Sequence, residues 1–481
     1  MLSIFSKDEN IEVGLFIGSN EEKRDDVKEI LNPYTKAVVS KYPICTKDDA
    51  KRALAVAKSA TKYCASSPMH QRVKWLEDVA NKLKEQEDFF AKLIVDEVAK
   101  PMKFARIEVQ RCAETIELTA KELINLHGET INTDAMPSGR DAVAYYKRVP
   151  CGVVVAITPF NFPLNLIAHK IAPALGAGNA VVLKPTPEAP RCAYELAKLF
   201  IESEYATKDA LSLVYGDAEV GGELVANSTA RVVSFTGSVQ VGAIIMKNAG
   251  IKKVALELGG NAATYIDKSA DIADAAKKCA FGSFYNSGQV CISLQRIYVH
   301  KDIYDEFAEA IAKEAEGLKV GSPYEEDTFM GPLINQDAKL RAASWVASAK
   351  DEGAKVLYGG ELVDGIFPPT VVADVTDDMK IVCEEVFAPI VSLVKVDSYN
   401  EAIEKINNSP YGLQYSIFTN DLKNAKTFID DANAGGVVVN DIPTVRFDIQ
   451  PYGGVKLSGI GKEGPKFALE EFTEIKSVVI F

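Results

Sequence analysis

The chain has 481 residues, 47% of them apolar and 25% charged, a composition typical of a folded globular protein with two or three lobes. Its net charge of −13 argues against nucleic acid or an anionic membrane surface as the main partner, because both require a basic surface. No run approaches the ~18 apolar residues of a membrane-spanning helix, so we expect a cytoplasmic protein without a membrane partner.

The first predicted element is a helical layer from about Asp48 to Glu122, where apolar residues recur every three or four positions. The segment Asp141–Val149 is rich in strand formers but is not followed by a helix, so it predicts an isolated strand or hairpin arm.

From Cys151 onward, apolar strand-like runs alternate with helical stretches. Strands are predicted at Gly152–Ile157, Ala180–Leu183, Leu211–Tyr215, Arg231–Phe235 and Lys253–Leu256, with helices at about Leu164–Leu175, Ala189–Ile201, Ala218–Ala226 and Val239–Asn248. Buried strands separated by helices indicate a doubly wound parallel sheet, whose ligands bind beyond the carboxyl ends of the strands.

A second alternation follows and predicts a second α/β lobe, with the boundary near Gly259–Asn261. Its helices are predicted near Asp271–Tyr285, Tyr304–Glu316 and Asp337–Asp351, and its strands near Gln295–His300, Ile390–Val396, Tyr415–Phe418 and Gly436–Val439.

The chain has eight cysteines without a C-x-x-C pair and four histidines, so we expect neither a disulfide framework nor a metal site. Most of these thiols are expected to be small buried residues. Cys291 differs, because it follows a predicted helix end and a glycine and precedes a strand, where a substrate can reach it.

Other polar residues come directly after strands of the first sheet. Glu257 ends a buried strand before a Gly-Gly turn, and Asn161 follows the first strand. Gly237 and Ser238 form a turn before a helix, whose free N–H groups can bind phosphate oxygens. Taken singly, each of these signals is weak.

Together, seven motifs resemble the aldehyde dehydrogenase superfamily and span nearly the whole chain. They are Thr-Pro-Phe-Asn161-Phe-Pro, Lys184-Pro, Phe-Thr-Gly237-Ser238, Glu257-Leu-Gly-Gly-Asn, Gly288-Gln-Val-Cys291, Glu384-Glu385-Val-Phe387-Ala-Pro and Pro451-Tyr-Gly-Gly-Val-Lys-Leu-Ser-Gly. The segments from Asn440 to Gly454, Ile171-Ala-Pro-Ala and Gln289-Val-Cys291-Ile-Ser are most similar to the lactaldehyde dehydrogenase and non-phosphorylating glyceraldehyde-3-phosphate dehydrogenase branch.

The resemblance implies an α/β fold of three parts. These are an NAD(P)-binding domain with a doubly wound parallel sheet (residues 1–128 and 149–259), an α/β catalytic domain (260–448) and a β-arm for oligomerisation (129–148 and 467–481). We expect a homodimer or homotetramer in which the arm and the C-terminal strand Glu474–Phe481 pair with another subunit; the alternative is that this tail pairs within its own subunit.

The resemblance also implies the chemistry. Cys291 attacks an aldehyde as a thiolate, Asn161 and the Cys291 backbone N–H stabilise the resulting oxyanion, and Glu257 activates the water that hydrolyses the thioester. Branches that release a CoA ester tend to lack this glutamate, so a free acid is the expected product. A catalytically dead binding protein is the competing hypothesis from another class, and the presence of all three residues argues against it.

NAD or NADP is the expected cofactor. The positions that the resemblance assigns to it are Thr158, Pro159, Phe160, Lys184, Pro187, Gly221, Gly237, Ser238, Val241, Leu258, Gly259, Glu385 and Phe387. Pro187 stands where NAD-preferring members carry a glutamate that repels a 2′-phosphate, and Glu188 is adjacent, so the choice between NAD and NADP stays open.

Arg106, Arg111 and Arg446 are the candidate substrate contacts, because a guanidinium there could pair with a carboxylate or a phosphate. The glyceraldehyde-phosphate enzymes commonly have an arginine before the catalytic cysteine, where this chain has Val290. This difference favours a small hydroxyaldehyde such as lactaldehyde. Succinate semialdehyde and glyceraldehyde 3-phosphate are the alternatives.

Overall fold

The computed structural model describes residues 11–481. Residues 1–10, which open the predicted cofactor-binding segment 1–128, lie outside the described residues. Among residues 11–481, no helix combines the length and the apolar character needed to cross a bilayer.

The strands are numbered in chain order. They are β1 (Leu15–Ile17), β2 (Asn20–Glu22), β3 (Val27–Leu31), β4 (Val38–Pro43), β5 (Thr130–Ile131), β6 (Val143–Pro150), β7 (Val153–Ile157), β8 (Ala180–Lys184), β9 (Leu211–Leu213), β10 (Val232–Thr236), β11 (Lys253–Glu257), β12 (Ala262–Ile266), β13 (Leu294–His300), β14 (Lys355–Tyr358), β15 (Thr370–Ala373), β16 (Ile390–Val396), β17 (Gln414–Phe418), β18 (Gly436–Val439), β19 (Gly459–Ile460) and β20 (Thr473–Ile480).

The helices are numbered in the same way. They are α1 (Lys47–Ser66), α2 (Met69–Glu85), α3 (Glu87–Val98), α4 (Met102–Leu123), α5 (Asn165–Gly176), α6 (Pro190–Ile201), α7 (Ala218–Ala226), α8 (Val239–Ala249), α9 (Ile272–Phe284), α10 (Tyr304–Glu316), α11 (Gln336–Asp351), α12 (Lys380–Cys383), α13 (Tyr399–Asn407), α14 (Leu422–Asp431) and α15 (Pro465–Glu471).

The first sheet is doubly wound, as the sequence predicts. Its strand order is β19-β11-β10-β7-β8-β9-β1-β2, and the five central strands are parallel. Strands β7 and β8 are buried on both faces because helices cover the sheet, which explains their unbroken runs of valine and alanine. The flanking strands β1, β2 and β19 have only two or three residues, too few to produce a periodic pattern.

The second sheet has the order β14-β15-β16-β13-β12-β17-β18 and is parallel except for the β14–β15 pair. Its interior strand β12 was not predicted, because its five residues directly follow the Gly259–Asn261 turn, which was interpreted as the boundary between the two lobes. Helices α13 and α14, each preceded by an N-cap side chain that accepts a backbone N–H, were not predicted either.

The arm forms a third sheet in the order β20-β6-β5. Strand β20 pairs antiparallel with β6 from Thr473↔Pro150 to Ile480↔Val143 within the same chain. The expectation that the C-terminal strand finds its pairing partner in another subunit is therefore wrong for this edge, because β6 satisfies its backbone groups locally. The opposite edge of β20 has no strand beside it among the described residues.

The carboxyl ends of four strands of the first sheet, β7, β8, β10 and β11, lie side by side. Ile157 lies opposite Lys184 on one side, its neighbour Phe235 lies on the other, and Thr236 lies opposite Glu257. Since parallel strands share one carboxyl edge, the loops that follow these strands meet at the same place. The second sheet begins at this edge, because β12 starts five residues after Glu257 and β13 starts at Leu294, just after Cys291.

Candidate active site

Cys291 lies in a loop whose backbone is fixed by an unusual run of conformations. Asn286, Ser287 and Gly288 have φ values of 51°, 56° and 68°, in the left-handed region. A Cβ on Gly288 would lie 2.2 Å from the Ala388 carbonyl oxygen, so no other residue fits there. The chain turns tightly before Cys291 and leaves its thiol half-buried between the two sheets.

The Cys291 Sγ lies 2.9 Å from the hydroxyl of Tyr452. Burial raises the pKa of the Cys291 thiol to about 11, against the opposing effects of the Tyr452 hydrogen bond and the positive charge of Arg446. The free site therefore favours the neutral thiol, and a base or a hydrogen-bond donor is needed to generate the nucleophilic thiolate.

Asn161 is anchored next to this loop. Its backbone carbonyl accepts hydrogen bonds from Lys100 Nζ at 2.8 Å and Asn286 Nδ2 at 3.1 Å, and its own Nδ2 donates to the Gln289 carbonyl at 2.9 Å. An amide nitrogen has two N–H groups, so one remains for a substrate oxygen. Gln289 precedes Cys291 by two residues, which brings the amide to the side of the thiol.

Glu257 ends β11 and is buried, and its Oε2 has no hydrogen-bond partner among the described residues. Burial, and then the negative charge of Glu463, raise the pKa of Glu257 well above its usual value. A Cβ on Gly453 would lie 2.6 Å from Glu257 Oε1, and Tyr452, the residue before it, contacts the thiol. Glu257 and Cys291 therefore face the same short segment.

The residues assigned to the cofactor line the carboxyl edge of the first sheet. Thr158 and Thr236 are buried there with side-chain hydroxyls that have no partner among the described residues. Lys184 is buried with only a 3.5 Å contact from Nζ to the Pro185 carbonyl, and burial lowers the pKa of its ammonium group. Gly221 packs beside the Lys184 side chain, since a Cβ there would lie 3.7 Å from it.

Helix α8 points its N-terminus at the same edge. Ser238 caps it by accepting the Val241 N–H at 3.3 Å, and the capping residue remains exposed beside Gly237. Free N–H groups at such a position bind phosphate oxygens. These unpartnered hydroxyls, the buried lysine and the exposed helix start fit a dinucleotide with its pyrophosphate at α8.

Glu385 and Phe387 complete this side of the site. The Gly260 backbone N–H donates to Glu385 Oε1 at 3.0 Å, and a Cβ on Gly259 would lie 2.2 Å from Glu385 Oε2, so a side chain there would displace this carboxylate. Burial raises the pKa of Glu385 to about 7. The Phe387 ring lies edge-on to Phe160, with centroids 6.1 Å apart. Pro159 precedes Phe160 in the loop after β7, and Leu258 precedes Gly259 in the loop after β11.

The position that would repel a 2′-phosphate carries no charge, because it is the half-buried Pro187. The adjacent Glu188 accepts a hydrogen bond from Thr186 Oγ1, and its charge acts on Lys184. The Glu188 carboxylate therefore lies one residue after the position where NAD-preferring members carry a glutamate.

Two of the three candidate substrate arginines share one acidic partner. Arg111 forms two hydrogen bonds of 2.9 and 2.8 Å with Asp448, and Arg446 Nε lies 3.5 Å from the same carboxylate. Arg446 also pairs with Glu463 at 3.2 Å and stacks over the Tyr452 ring, 3.7 Å from its centroid. This ring connects Arg446 to the Cys291 thiol.

Arg106 lies elsewhere. Its guanidinium pairs with Asp88 at 2.8 Å and with Glu326 at 2.7 Å, two exposed residues at the surface. The structure does not bring it together with Arg111 and Arg446, although all three were grouped in the sequence analysis.

Several residues that contact the site were not predicted from the sequence. Tyr452 lies in the Pro451-Tyr-Gly-Gly motif, but no role was predicted for it. His169 belongs to no recognisable motif, and its Nε2 lies 3.0 Å from Asp448 and 3.1 Å from Arg446. Lys170 pairs with Glu463 at 3.0 Å from within the apolar helix α5. A lysine in such a buried stretch is the one signal that could have identified this cluster, because burying a charge is costly without a partner.

Comparisons with known proteins agree with this geometry. Residues 20–478 match the aldehyde dehydrogenase family. A 3-sulfolactaldehyde dehydrogenase from Priestia aryabhattai is 43% identical over 97% of this chain and 98% of its own length. A lactaldehyde dehydrogenase from Methanocaldococcus jannaschii is 39% identical over 97% of this chain and 100% of its own.

A solved structure is also similar to this chain over nearly its whole length. The glyceraldehyde-3-phosphate dehydrogenase GapN from Methanocaldococcus jannaschii, complexed with NADP, superposes with a TM-score of 0.91 at 39% identity over 95% of this chain and 100% of that one. Family, fold and site geometry lead to one conclusion: this chain belongs to the aldehyde dehydrogenase family and is an NAD(P)-dependent dehydrogenase of aldehydes.

Proposed function

We propose that the chain oxidises a small 2-hydroxyaldehyde to the free carboxylic acid through a covalent thioester on Cys291. The observation that carries this proposal is the meeting of three groups around one loop. Cys291 contacts Tyr452, Asn161 is hydrogen-bonded to Gln289 beside the thiol, and Glu257 packs against Gly453. A nucleophile, an oxyanion donor and a base in one place are the set that aldehyde oxidation requires.

In the first step, the Cys291 thiol loses its proton to the Glu257 carboxylate and keeps the S–H electron pair. The thiolate forms a C–S bond to the aldehyde carbon, and the π electrons of the C=O bond move to the oxygen. The Asn161 amide and the Cys291 backbone N–H stabilise that oxyanion, with a contribution of about 3 kcal/mol for each donor. A bound nicotinamide cofactor would supply the hydride acceptor at this point, and loss of the hydride from the same carbon leaves a thioester on Cys291.

In the second step, Glu257 acts on water. A neutral carboxyl cannot accept a proton, so Glu257 must first release the proton that it took from the thiol. Its carboxylate then removes a proton from water as the oxygen attacks the thioester carbonyl, which Asn161 again polarises. The C–S bond breaks and its electron pair goes to the sulfur, the carboxylic acid departs, and Glu257 returns the proton to the Cys291 thiolate.

The same residues would hold either cofactor. Ser238 and the α8 N-terminus would bind the pyrophosphate, Lys184 the adenosine ribose, and Glu385 the nicotinamide ribose, with Phe387 beside the ring. Pro187 removes the negative charge that would exclude NADP, whereas Glu188 supplies one nearby, so the proposal includes both NAD and NADP.

The buried charges favour a substrate with a polar or anionic end. Arg111, Lys170 and Arg446 face two carboxylates, Asp448 and Glu463. Burial raises the pKa of Glu257 and lowers that of His169, which shifts both groups toward their neutral forms. Arg446 lies across the Tyr452 ring from the Cys291 thiol, close enough to act on an anionic substrate group.

Lactaldehyde fits this arrangement with its hydroxyl group, and 3-sulfolactaldehyde adds a sulfonate that would neutralise the excess charge. The first is our primary candidate, and the position of the Arg446 guanidinium beside Tyr452 favours the second. Succinate semialdehyde and glyceraldehyde 3-phosphate carry anions at other distances from the aldehyde and serve as comparisons.

We also propose that the chain forms a homo-oligomer through its arm. Ile475 and Val479 on β20 and Phe481 just after it are more than half exposed, at 60%, 54% and 93%, and no strand of residues 11–481 pairs with the outer edge of β20. Such a strand is normally covered, because an exposed apolar edge promotes aggregation.

Initial rates of cofactor reduction test the substrate assignment. Each of the four aldehydes is measured with NAD and with NADP, and Cys291→Ala serves as the control. We expect lactaldehyde or 3-sulfolactaldehyde to give the highest kcat/KM and Cys291→Ala to be inactive. Preference for succinate semialdehyde or glyceraldehyde 3-phosphate would overturn the substrate assignment, and activity in Cys291→Ala would overturn the mechanism.

A further inference from the structure

Tyr452 contacts the reacting sulfur, and the mechanism above does not use it. Its hydroxyl lies 2.9 Å from Cys291 Sγ, and this is the hydrogen bond that the hydroxyl makes among residues 11–481. We propose that Tyr452 is a further catalytic residue, which donates its O–H to the Cys291 thiolate, and that Arg446 strengthens this donor by stacking on its ring. This inference rests on the proposed role of Cys291 as the nucleophile.

The backbone around Tyr452 holds the hydroxyl in place. The Tyr452 N–H donates to the Glu463 carbonyl at 3.0 Å, and the Glu463 N–H donates back to the Tyr452 carbonyl at 2.6 Å. The side chain is only 5% exposed. A donor fixed in this way loses little entropy when the thiolate forms, so its hydrogen bond contributes most of its free energy to stabilising the anion.

The phenol stays protonated in this environment. Burial, and then the charge of the Cys291 thiolate, raise the pKa of Tyr452 well above its usual value. A phenol that keeps its proton acts as a donor toward an anion, rather than as a base. The Tyr452 hydrogen bond in turn lowers the pKa of Cys291 against the larger effect of burial.

Arg446 acts through the ring. Its guanidinium carbon lies 3.7 Å from the centroid of Tyr452, within the range of a cation–π contact. A positive charge over the ring withdraws electron density from the phenol oxygen, which makes its O–H a stronger donor. Arg446 is held there by Glu463 and Asp448, so the stacking does not depend on substrate.

The proton balance follows the first step proposed above. The S–H bond breaks and its proton passes to Glu257, while the Tyr452 O–H stays intact and donates a hydrogen bond to the new S⁻. When the C–S bond forms, the sulfur becomes neutral and the hydrogen bond weakens. Tyr452 therefore promotes thiolate formation and releases the sulfur as it attacks.

The test is the rate of alkylation of Cys291 by iodoacetamide as a function of pH, followed by mass spectrometry of the peptide that contains it. The probe needs neither aldehyde nor cofactor, so its result does not depend on the substrate assignment. The charged and titratable groups that face the thiol are Tyr452, Arg446, Glu257 and Glu385. Only the first is changed, in Tyr452→Phe, which keeps the ring under Arg446.

We expect Tyr452→Phe to raise the apparent pKa of alkylation by about one to two units, the effect of one hydrogen bond to a charged group. A more basic thiolate is also a better nucleophile, so the rate at neutral pH should fall only about three- to tenfold, while the plateau rate at high pH rises. A general loss of structure would instead expose Cys291, lower its apparent pKa toward about 8.5, the value of a free thiol, and speed alkylation at neutral pH; circular dichroism of the variant identifies that case.

Two further variants sharpen the result. Tyr304→Phe removes another buried tyrosine hydroxyl, one that donates to the Leu393 carbonyl away from the site, and should leave the alkylation profile unchanged. 3-Fluorotyrosine at position 452 has a more acidic phenol and should shift the apparent pKa downward. An unchanged or lower pKa in Tyr452→Phe, or faster alkylation at neutral pH, would overturn the proposal, because Tyr452 would then hold the thiol in an inactive state.

Discussion

Arg446 shows how a single side chain can serve both the fold and the substrate. Its guanidinium pairs with Asp448 and Glu463 and stacks over Tyr452, so it is held rigidly beside the nucleophile. It leaves Nε without a hydrogen-bond partner among the described residues. A buried donor of this kind is available to a substrate oxygen.

We expect Arg446→Leu to lower kcat/KM for 3-sulfolactaldehyde by about 10- to 100-fold, since a hydrogen bond to a charged group contributes about 1.5–3 kcal/mol. The value for lactaldehyde should fall less, because it carries no anion. Steady-state rates with both aldehydes measure this difference. Arg106→Leu is the matched control, because Arg106 pairs with surface residues; equal losses for the two aldehydes would contradict an anion-binding role.

Glu257 gives a prediction on pH. Burial and Glu463 raise its pKa, and only its carboxylate form acts as a base, so the fraction of active enzyme rises with pH. We expect deacylation to accelerate from neutral to alkaline pH. In Glu257→Gln the rate should fall by about 10²- to 10⁴-fold and lose this pH dependence in single-turnover experiments. A variant that keeps the pH profile of the parent would exclude Glu257 as the base.

At the level of elements, a buried ion pair connects α4 to the start of α5. Lys100 and Glu108 are fully buried and bonded to each other, Lys100 also donates to the Asn161 carbonyl, and Glu108 accepts the Leu164 N–H at 2.9 Å. Lys100 lies 3.8 Å from the centroid of the Phe162 ring. The pair therefore fixes the turn that carries the oxyanion donor.

Removing one partner leaves a buried charge alone, so we expect Lys100→Met or Glu108→Leu to destabilise the fold by about 3–5 kcal/mol. The double variant Lys100→Met/Glu108→Leu should lose less than the sum of the two, as measured by urea unfolding. It should still have a lower kcat than the parent, because Asn161 loses one anchor. Additive losses of stability would show that the two residues act independently.

Sequence patterns predicted the elements that have long apolar runs. The five parallel strands of the first sheet and the four-helix layer were found because buried strands and amphipathic helices leave clear periodicities. Strand β12 was missed because it begins at the predicted lobe boundary, and β1, β2, β14, β15 and β19 were missed because they have only two to four residues. Pairing of the C-terminal strand within its own subunit was only the alternative prediction, because the partner that a strand chooses depends on distant residues.

For the candidate site, motifs identified the catalytic candidates but not the residues that surround them. The positions of Cys291, Glu257 and Asn161 came from motifs, and their grouping is what the sheet register produces. The contact of His169 with Arg446 and Asp448 could not be predicted, because His169 lies far from them in the chain and meets them only in the folded state. Residue type alone did not separate Arg106 from the other two arginines.

At the scale of the whole molecule, the arm predicts assembly. Ile475 and Val479 lie on the same face of β20, two steps of the side-chain alternation apart, and both are exposed. We expect the parent to be a dimer or tetramer and Ile475→Lys/Val479→Lys to shift it to smaller species, at a cost of about 2 kcal/mol or more per subunit. Analytical ultracentrifugation measures the shift.

The matched control for assembly is Leu422→Lys, at an 84% exposed position on α14 and outside the arm. It should leave the oligomeric state unchanged. A monomeric parent, or an unchanged oligomer in the double variant, would show that the exposed strand is not the interface.

Trapping the acyl-enzyme tests the central claim most directly. Glu257→Gln is mixed with lactaldehyde and cofactor, quenched in acid, digested, and the peptide that contains Cys291 is weighed by mass spectrometry. At alkaline pH, where the thiol can ionise without Glu257, we predict one acyl group on Cys291 for each equivalent of reduced cofactor, without turnover. Reduced cofactor formed with Cys291 unmodified, or an acyl group on another cysteine, would contradict the account.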